Sequence, residues 1–567
     1  MCRNAYRRSH PAVPSTLVLH RGKIITCNDR GDVASAVAVR GRHIAAVGSD
    51  DEVLALAGPD ARRVDLGGKS VLPGLTDGHA HMDREGLRRH LPSLAGARTR
   101  DDILDIIAAE AAKAPPGTWI VTQPVGQPPE YPEPDDALAG GPYPTRDDLD
   151  RVSPDHPVYI RPIWGYWRNR APLVSVANSR ALALAGVTPA TASPSPDVNI
   201  ERDAAGRPTG RFVERTLVPI VEHTLMRAAP GFTAEQRASG LRHAMAEYNR
   251  YGTTAVFEGH GVAGEVIDAY ETVHGQGAST VRSTLVLSPY WGPRGEGQAL
   301  ELLREWSAWL ARRGRGDDML RVQGLYAEID KDPLNNRLRA GNHPCTGWAG
   351  FQAGAALDAD ALAPLLAEAA RAGIRVAGIW PDLLPLFEQA HRQHPIDDQR
   401  WVLGHQPVID ADTQARIRDL GLVLTTHTNR HIYKDGDLWM QRRGAAGQDD
   451  IVPLRRLRDA GVAVAFGSDN LPVSLFGPIW HAVARRSRGG GPVAPGQALS
   501  RQEALDIATR GGAYLTFDED IRGSIEPGKL ADLTVLNADP LTCAEDEIAT
   551  LHSLLTVVDG HIVAPTP

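Results

Sequence analysis

Val71-Leu-Pro-Gly-Leu-Thr-Asp-Gly-His-Ala-His81 runs from an apolar stretch through a Pro-Gly turn into two histidines one residue apart. Residues i and i+2 of an extended chain share a face, so His79 and His81 are placed to chelate one ion. Most His-x-His pairs are only surface neighbours. This one ends an apolar strand, which is where a parallel barrel collects its chemistry. That reading requires seven further strands, several of them ending in polar residues.

The rest of the chain supplies them. Buried parallel strands appear as short apolar, β-branched runs bounded by loops. After 72–81 such runs occur at 253–258, 283–287, 322–330, 375–380, 401–405, 422–427 and 463–469. Helix-compatible segments lie between them at 298–313, 359–372, 411–420 and 452–460. The segment 233–251 opens with Thr233 and Gln236 at capping-box spacing. Strand and helix alternate as an α/β fold of the (β/α)₈ TIM type requires. Roughly 170 residues separate the first two strands, far more than a βα loop, so an insertion with its own structure is expected.

The chain ends read differently. Short runs at 16–20, 22–26, 36–39 and 43–47 alternate with turn residues, and 531–536, 555–558 and 560–563 repeat the style. The expected organisation is a small β-sandwich domain of residues 1–70 plus 522–567. The barrel then occupies 71–521, with the insertion at about 85–230.

A chain of 567 residues suits one large barrel plus a satellite domain. Lys and Arg number 61 against 69 Asp and Glu, a net charge of −8 that offers no basic face to a nucleic acid. Cys2, Cys27, Cys345 and Cys543 are scattered without C-x-x-C spacing, which argues against a disulfide framework or a cysteine zinc site. No stretch approaches the ~18 apolar residues of a membrane span, and no apolar run follows the basic start as in a signal peptide. A soluble cytoplasmic protein with a small-molecule substrate is expected. The oligomeric state stays open, a homodimer included.

Several strand ends carry metal-capable groups. The second ends Phe257-Glu-Gly-His260, the sixth Gly404-His-Gln406, the seventh Thr425-Thr-His427 and the eighth Gly467-Ser-Asp469. Alternation along the fourth places Tyr326, Glu328 and Asp330 on one face. Neutral imidazole suits zinc, and Asp469 supplies an oxygen ligand and a base.

Together these motifs resemble the amidohydrolase superfamily, and within it the large amidase branch (amidohydrolase family 3) that includes the N-substituted formamide deformylases. The resemblance spans residues 16–565. It rests on the 71–81 signature, on Val174-Ser-Val-Ala-Asn-Ser-Arg-Ala-Leu-Ala-Leu-Ala-Gly186 and Asp203-Ala-Ala-Gly-Arg-Pro-Thr-Gly210 in the insertion, on Gly467-Ser-Asp469, and on Gly523-Ser-Ile-Glu-Pro-Gly-Lys-Leu-Ala-Asp-Leu533. It implies that His79 and His81 are first-strand metal ligands and His405 the sixth-strand histidine. It makes Asp469 the aspartate that binds metal and takes a proton from the activated water.

Two positions depart from the family pattern. Tyr326 stands where a metal-bridging lysine is usual, and Val376-Ala-Gly-Ile-Trp-Pro-Asp382 lacks the fifth-strand histidine. A reduced centre with one divalent ion, zinc by donor chemistry, is therefore expected. Glu328, Glu258 and His260 are the substitutes to consider, although Glu328 could simply pair with Arg321 or Lys331. His405 would bind metal or polarise a carbonyl, and Tyr326 would donate to a developing oxyanion.

The expected reaction is hydrolysis of an amide or related C–N bond. Trp380 replaces a polar group with an apolar wall, and Trp164 lies in the aromatic run Pro162-Ile-Trp-Gly-Tyr-Trp-Arg168. Both suit a flat or cyclic substrate, although a packed insertion core explains the run equally well. His260 and Glu258 complete the expected pocket. Arg168 and Arg170 could meet a substrate carboxylate or simply face solvent. A deaminase, decarboxylase or isomerase on the same scaffold is the competing reading. A scaffold that had lost activity would have had no reason to keep His79, His81, His405 and Asp469 together.

Overall fold

The computed structural model describes residues 15–126, 131, 143–163 and 171–564. Eight parallel strands follow one another around a nearly closed barrel. They are Leu75–Asp77, Thr253–Val262, Arg282–Leu287, Leu320–Tyr326, Val376–Gly378, Val402–Gly404, Val423–Thr426 and Ala463–Phe466. The Gly78 amide closes the ring by donating to the Phe466 carbonyl at 2.7 Å.

Period-two alternation divides the strand side chains between two cores. Phe257, Val286, Tyr326, Ala377, Val402, Val423 and Ala465 fill the barrel interior. Their neighbours Val256, Leu285, Leu325, Val376, Leu403, Leu424 and Val464 face the surrounding helices. Each buried residue of Val or Leu size contributes roughly 1.5–3 kcal/mol, so the alternation strongly specifies strand register. The helices include Ala234–Arg250, Gly264–Gly275, Glu296–Leu310, Ala359–Ala372 and Ala411–Asp419. Thr233 and Gln236 form the expected capping box, with bonds of 3.1 and 2.9 Å.

Two sheets pack on each other, the first from residues 15–65 and the second from both ends of the chain. One orders His43–Gly48, Ala36–Arg40, Ser15–His20 and Ala57–Asp65. The other orders His561–Ala564, Ser553–Val558, Leu533–Leu536, Ser70–Pro73, Lys23–Ile25 and Val33–Ala34. Leu17, Leu19, Val37, Val39, Val71, Leu533 and Val557 form their shared core. Arg282, 3% exposed, welds this unit to the barrel floor through Asp532 and Asp559, each at 2.7 Å.

Between the first two barrel strands the chain builds a five-stranded sheet ordered Val198–Arg202, Pro208–Glu214, Leu173–Ala177, Val158–Ile160 and Ile120–Thr122. This insertion has apolar cores of its own. Trp164, Tyr166, Trp167, Arg168 and Arg170 lie outside the described residues. Among the described residues no helix is long and apolar enough to cross a membrane.

Two strand readings need correction. The apolar run at 71–77 is two strands. Ser70–Pro73 pairs with Leu533–Leu536 in the end-built sheet, and only Leu75–Asp77 enters the barrel. Gly74 makes the change, because a Cβ there would sit 2.1 Å from Thr254 Oγ1. The fourth strand stops at Tyr326. Glu328–Ile329 instead pairs with Ala356–Leu357, so the alternation expected through Asp330 does not hold.

Candidate metal centre

The histidines of the first strand reach the mouth through a tightly held turn. Asp77 accepts the His79 amide at 3.1 Å, the Ser468 amide at 3.0 Å and the Ser468 hydroxyl at 2.5 Å. Burial pushes the Asp77 carboxyl up to about 7, although the Ser468 bonds work against that rise. Gly467 lets the eighth strand approach, since a Cβ on it would lie 2.5 Å from the His79 Cβ. The Asp469 amide then donates to the His79 carbonyl at 2.9 Å.

Asp469 stands at the middle of the site. Its Oδ1 lies 2.8 Å from His81 Nε2 and 3.8 Å from His79 Nε2. Its Oδ2 lies 3.3 Å from His427 Nε2. His405 Nε2 and His79 Nε2 are 3.2 Å apart, and the His405 and His427 rings stack at 4.7 Å. Two donor sets result, His79–His81–Asp469 and His405–His427–Asp469, each with its ligand atoms within 4.8 Å of one another.

His405, Asp469 and Asn470 all hold left-handed backbone, with φ of 55°, 52° and 59°. Such conformations cost roughly 1–3 kcal/mol each and persist where surrounding structure imposes them. Here the strain aims two of the donors inward.

The donors fit a divalent cation. Tetrahedral zinc with bonds near 2.0–2.1 Å spaces its ligands roughly 3.4 Å apart, close to the contacts around Asp469. Burial holds His81, His405 and His427 well below the ordinary imidazole range, and it lowers His79 against the opposing pull of Asp469. Neutral imidazoles are what metal coordination needs.

The other expected site residues sit around this centre. The His260 ring is 5.7 Å from His81, 4.9 Å from Tyr326 and 4.6 Å from Phe351, so it lines the mouth. Tyr326 and Trp380 both donate to Glu328, each at 3.4 Å. Burial raises the Glu328 carboxyl to about 7. Among the described residues Glu328 falls in neither donor set, and its carboxyl meets Tyr326 and Trp380 instead. It also pairs with neither Arg321, which meets Asp518, nor Lys331, which meets Asp382.

Glu258 makes its hydrogen bonds on the helix side of its strand. It follows the inward-facing Phe257, so alternation turns it toward the helices. There its Oε1 accepts from the Met82 amide at 2.8 Å and the Tyr270 hydroxyl at 2.7 Å. The sequence marks His427 as a metal-capable strand end without giving it a ligand role, and it missed Phe351 and His431 as neighbours. His431 lies on a π-helical turn, Asn429–Lys434, with its ring 5.6 Å from His427.

Fold and centre together define a (β/α)₈ barrel with a histidine–carboxylate cluster that could hold a metal ion at the C-terminal mouth of its strands. The chain belongs to the amidohydrolase family, whose sequence profile matches residues 62–564. It is 28% identical to the N-substituted formamide deformylase of Arthrobacter pascens, over 96% of this chain and 97% of that one. It is 25% identical to YtcJ of Bacillus subtilis, over 96% and 99%. A metal-dependent hydrolase structure from Pyrococcus furiosus superposes with a TM-score of 0.66 at 22% identity, covering 93% of this chain and all of that one.

Proposed function

We propose that this chain is a metal-dependent hydrolase that cleaves an amide or related C–N bond of a small substrate with an aromatic or cyclic group. The position of Asp469 between the histidines of strands one and seven carries the reading. His79, His81 and Asp469 would hold a zinc-like divalent ion, which when bound supplies Lewis acidity and brings a water toward ionisation near neutral pH.

The chain's own groups do the rest. Asp469 accepts the proton of the attacking water and returns it to the leaving nitrogen, so no proton is lost or gained overall. His405 orients the substrate carbonyl from the neighbouring strand end. Tyr326 turns its single O–H from Glu328 to the carbonyl oxygen as that oxygen gains charge. Trp380 and Phe351 wall the mouth and exclude water.

The formamide named in the Arthrobacter relative makes N-substituted formamides the first substrates to assay. Amides, lactams and cyclic imides come next. Release of an amine with the matching acid, dependent on added zinc and lost in Asp469→Asn, is the expected result. Carbon dioxide release or isomerisation without hydrolysis would overturn the reading.

A further inference from the structure

We infer that Glu328 recognises a cation on the substrate, an ammonium or amidinium carried on an arm of the amide that the proposed hydrolase cleaves; this rests on that hydrolase reading.

Tyr326 ends the fourth strand with its ring in the barrel interior, and Trp380 follows shortly after the fifth. Between them the Glu328 carboxylate accepts the Tyr326 hydroxyl at Oε2 and the Trp380 indole N–H at Oε1, each at 3.4 Å. These bonds hold the carboxylate at the mouth, and the residue stays partly exposed there. Both are long for hydrogen bonds to oxygen. A carboxylate offers roughly four acceptor positions, so about half stay open.

Among the described residues no lysine or arginine pairs with this carboxylate. Arg321 meets Asp518, Lys331 meets Asp382, and Arg339 meets Asp332 at 3.7 Å. Asp330 accepts from the Asp332 amide and from Asn336 rather than from a cation. The described rim therefore sets Glu328, Asp330, Asp332 and Asp382 against Lys331 and Arg339, with Glu328 and Asp330 left over. Burial raises the Glu328 carboxyl to about 7 against the pull of its two hydrogen bonds. A carboxylate in such a place is costly to ionise alone, and a cation beside it offsets that cost.

Reach limits the arm. The Tyr326 hydroxyl serves the reacting carbonyl. Hydrogen bonds of about 2.8 Å at each end then put the cation within roughly 9 Å of the carbonyl oxygen. In an N-substituted formamide only the nitrogen carries an arm, so the charge belongs to the leaving amine. On arrival the cation takes over the oxygen on which Tyr326 rests, which frees the tyrosine O–H for the carbonyl. The preference therefore enters kcat as well as KM.

The test compares two N-benzylformamides with the full chain supplied with zinc, one carrying an aminomethyl group at the meta position and the other an ethyl group. They differ by an ammonium in place of a methyl. The cationic member should show a kcat/KM higher by roughly 10–100-fold, the range of a hydrogen bond between charged groups. That ratio should collapse in Glu328→Gln and survive in part in Glu328→Asp. Calorimetry with two methanesulfonamides bearing the same arms, which are not hydrolysed, reads binding apart from turnover and should show a preference of the same sign. Equal kcat/KM for the two formamides in the unaltered chain, or a ratio that Glu328→Gln leaves intact, would overturn the role of Glu328 while the hydrolase proposal stands. Intact formamides with tighter binding of the cationic sulfonamide would do the reverse.

Discussion

Asn470 grips the main chain of His81 from both sides. Its Oδ1 accepts the His81 amide at 3.0 Å, and its Nδ2 donates to the His81 carbonyl at 2.5 Å. Tyr248 donates to the same Oδ1 at 2.5 Å, so the amide cannot turn over without losing a bond. Groups that orient a ligand typically change metal affinity 10–100-fold when removed. Asn470→Ala should therefore weaken zinc binding by about that factor and lower stability by about 1–3 kcal/mol. Chelator competition and thermal unfolding read the two effects, and unchanged zinc affinity would refute the role.

Asp469→Asn removes the proton acceptor while keeping an oxygen near His81. Loss of a general base typically costs about 10²–10⁴ in rate. Turnover with a formamide or amide should fall by that range, with little change in KM. Full activity with full metal content would refute the assignment.

Metal removal should soften the whole mouth. An ion that binds only the folded chain stabilises it by about 2.7 kcal/mol at a hundredfold excess over its Kd. Dialysis against a chelator should lower the melting temperature and abolish hydrolysis, and zinc should restore both. Equal melting temperatures with and without zinc would argue against a resident ion.

Trp380 sits with its indole N–H toward Glu328 and Lys331 above its ring at 5.4 Å. Trp380→Ala opens that wall. The ratio of kcat/KM for aromatic over aliphatic amides should drop about tenfold, within the ~10–200-fold range that apolar pocket contacts supply. A constant ratio would place the ring's recognition elsewhere.

Glu214 ends a strand of the insertion and accepts the Ile220 and Val221 amides. Burial raises its carboxyl to about 7. An unfolded glutamate ionises near ~4.3, so between that value and about 7 the folded chain keeps a proton that the unfolded chain has lost. Stability from this group is full at lower pH and falls as pH rises, with a slope near ~1.4 kcal/mol per pH unit. Glu214→Gln should flatten that slope and raise the melting temperature more at about pH 7.5 than at about pH 4, values that bracket the window. Parallel curves for the two proteins would exclude it.

The eight barrel strands were legible because each is a short β-branched run buried on both faces. Boundaries were harder where chemistry does not change. Ser70–Pro73 and Leu75–Asp77 are both apolar and differ only in their partners. Glu258 could have been placed outward by parity from Phe257, had that ring been assigned to the interior. His427 was visible as a strand end. It lacks chelate spacing to any other histidine ligand, and only the fold carries it across to Asp469. Phe351 has no periodic signal, because it lies outside every helix and strand and meets His260 only in three dimensions.

The pairing of Ser70–Pro73 with Leu533–Leu536 has a consequence for biosynthesis. Ser70–Pro73, just before the strand that leads into His79 and His81, leaves the ribosome early and has Lys23–Ile25 on one edge, yet its partner on the other edge is made more than four hundred residues later. A nascent chain can assemble the insertion sheet, and then much of the barrel wall, while that edge waits. Such distant contacts slow folding and leave apolar edges open in the meantime. Truncation before Leu533 should therefore yield a chain that aggregates during translation, even though every donor to the metal has already been made.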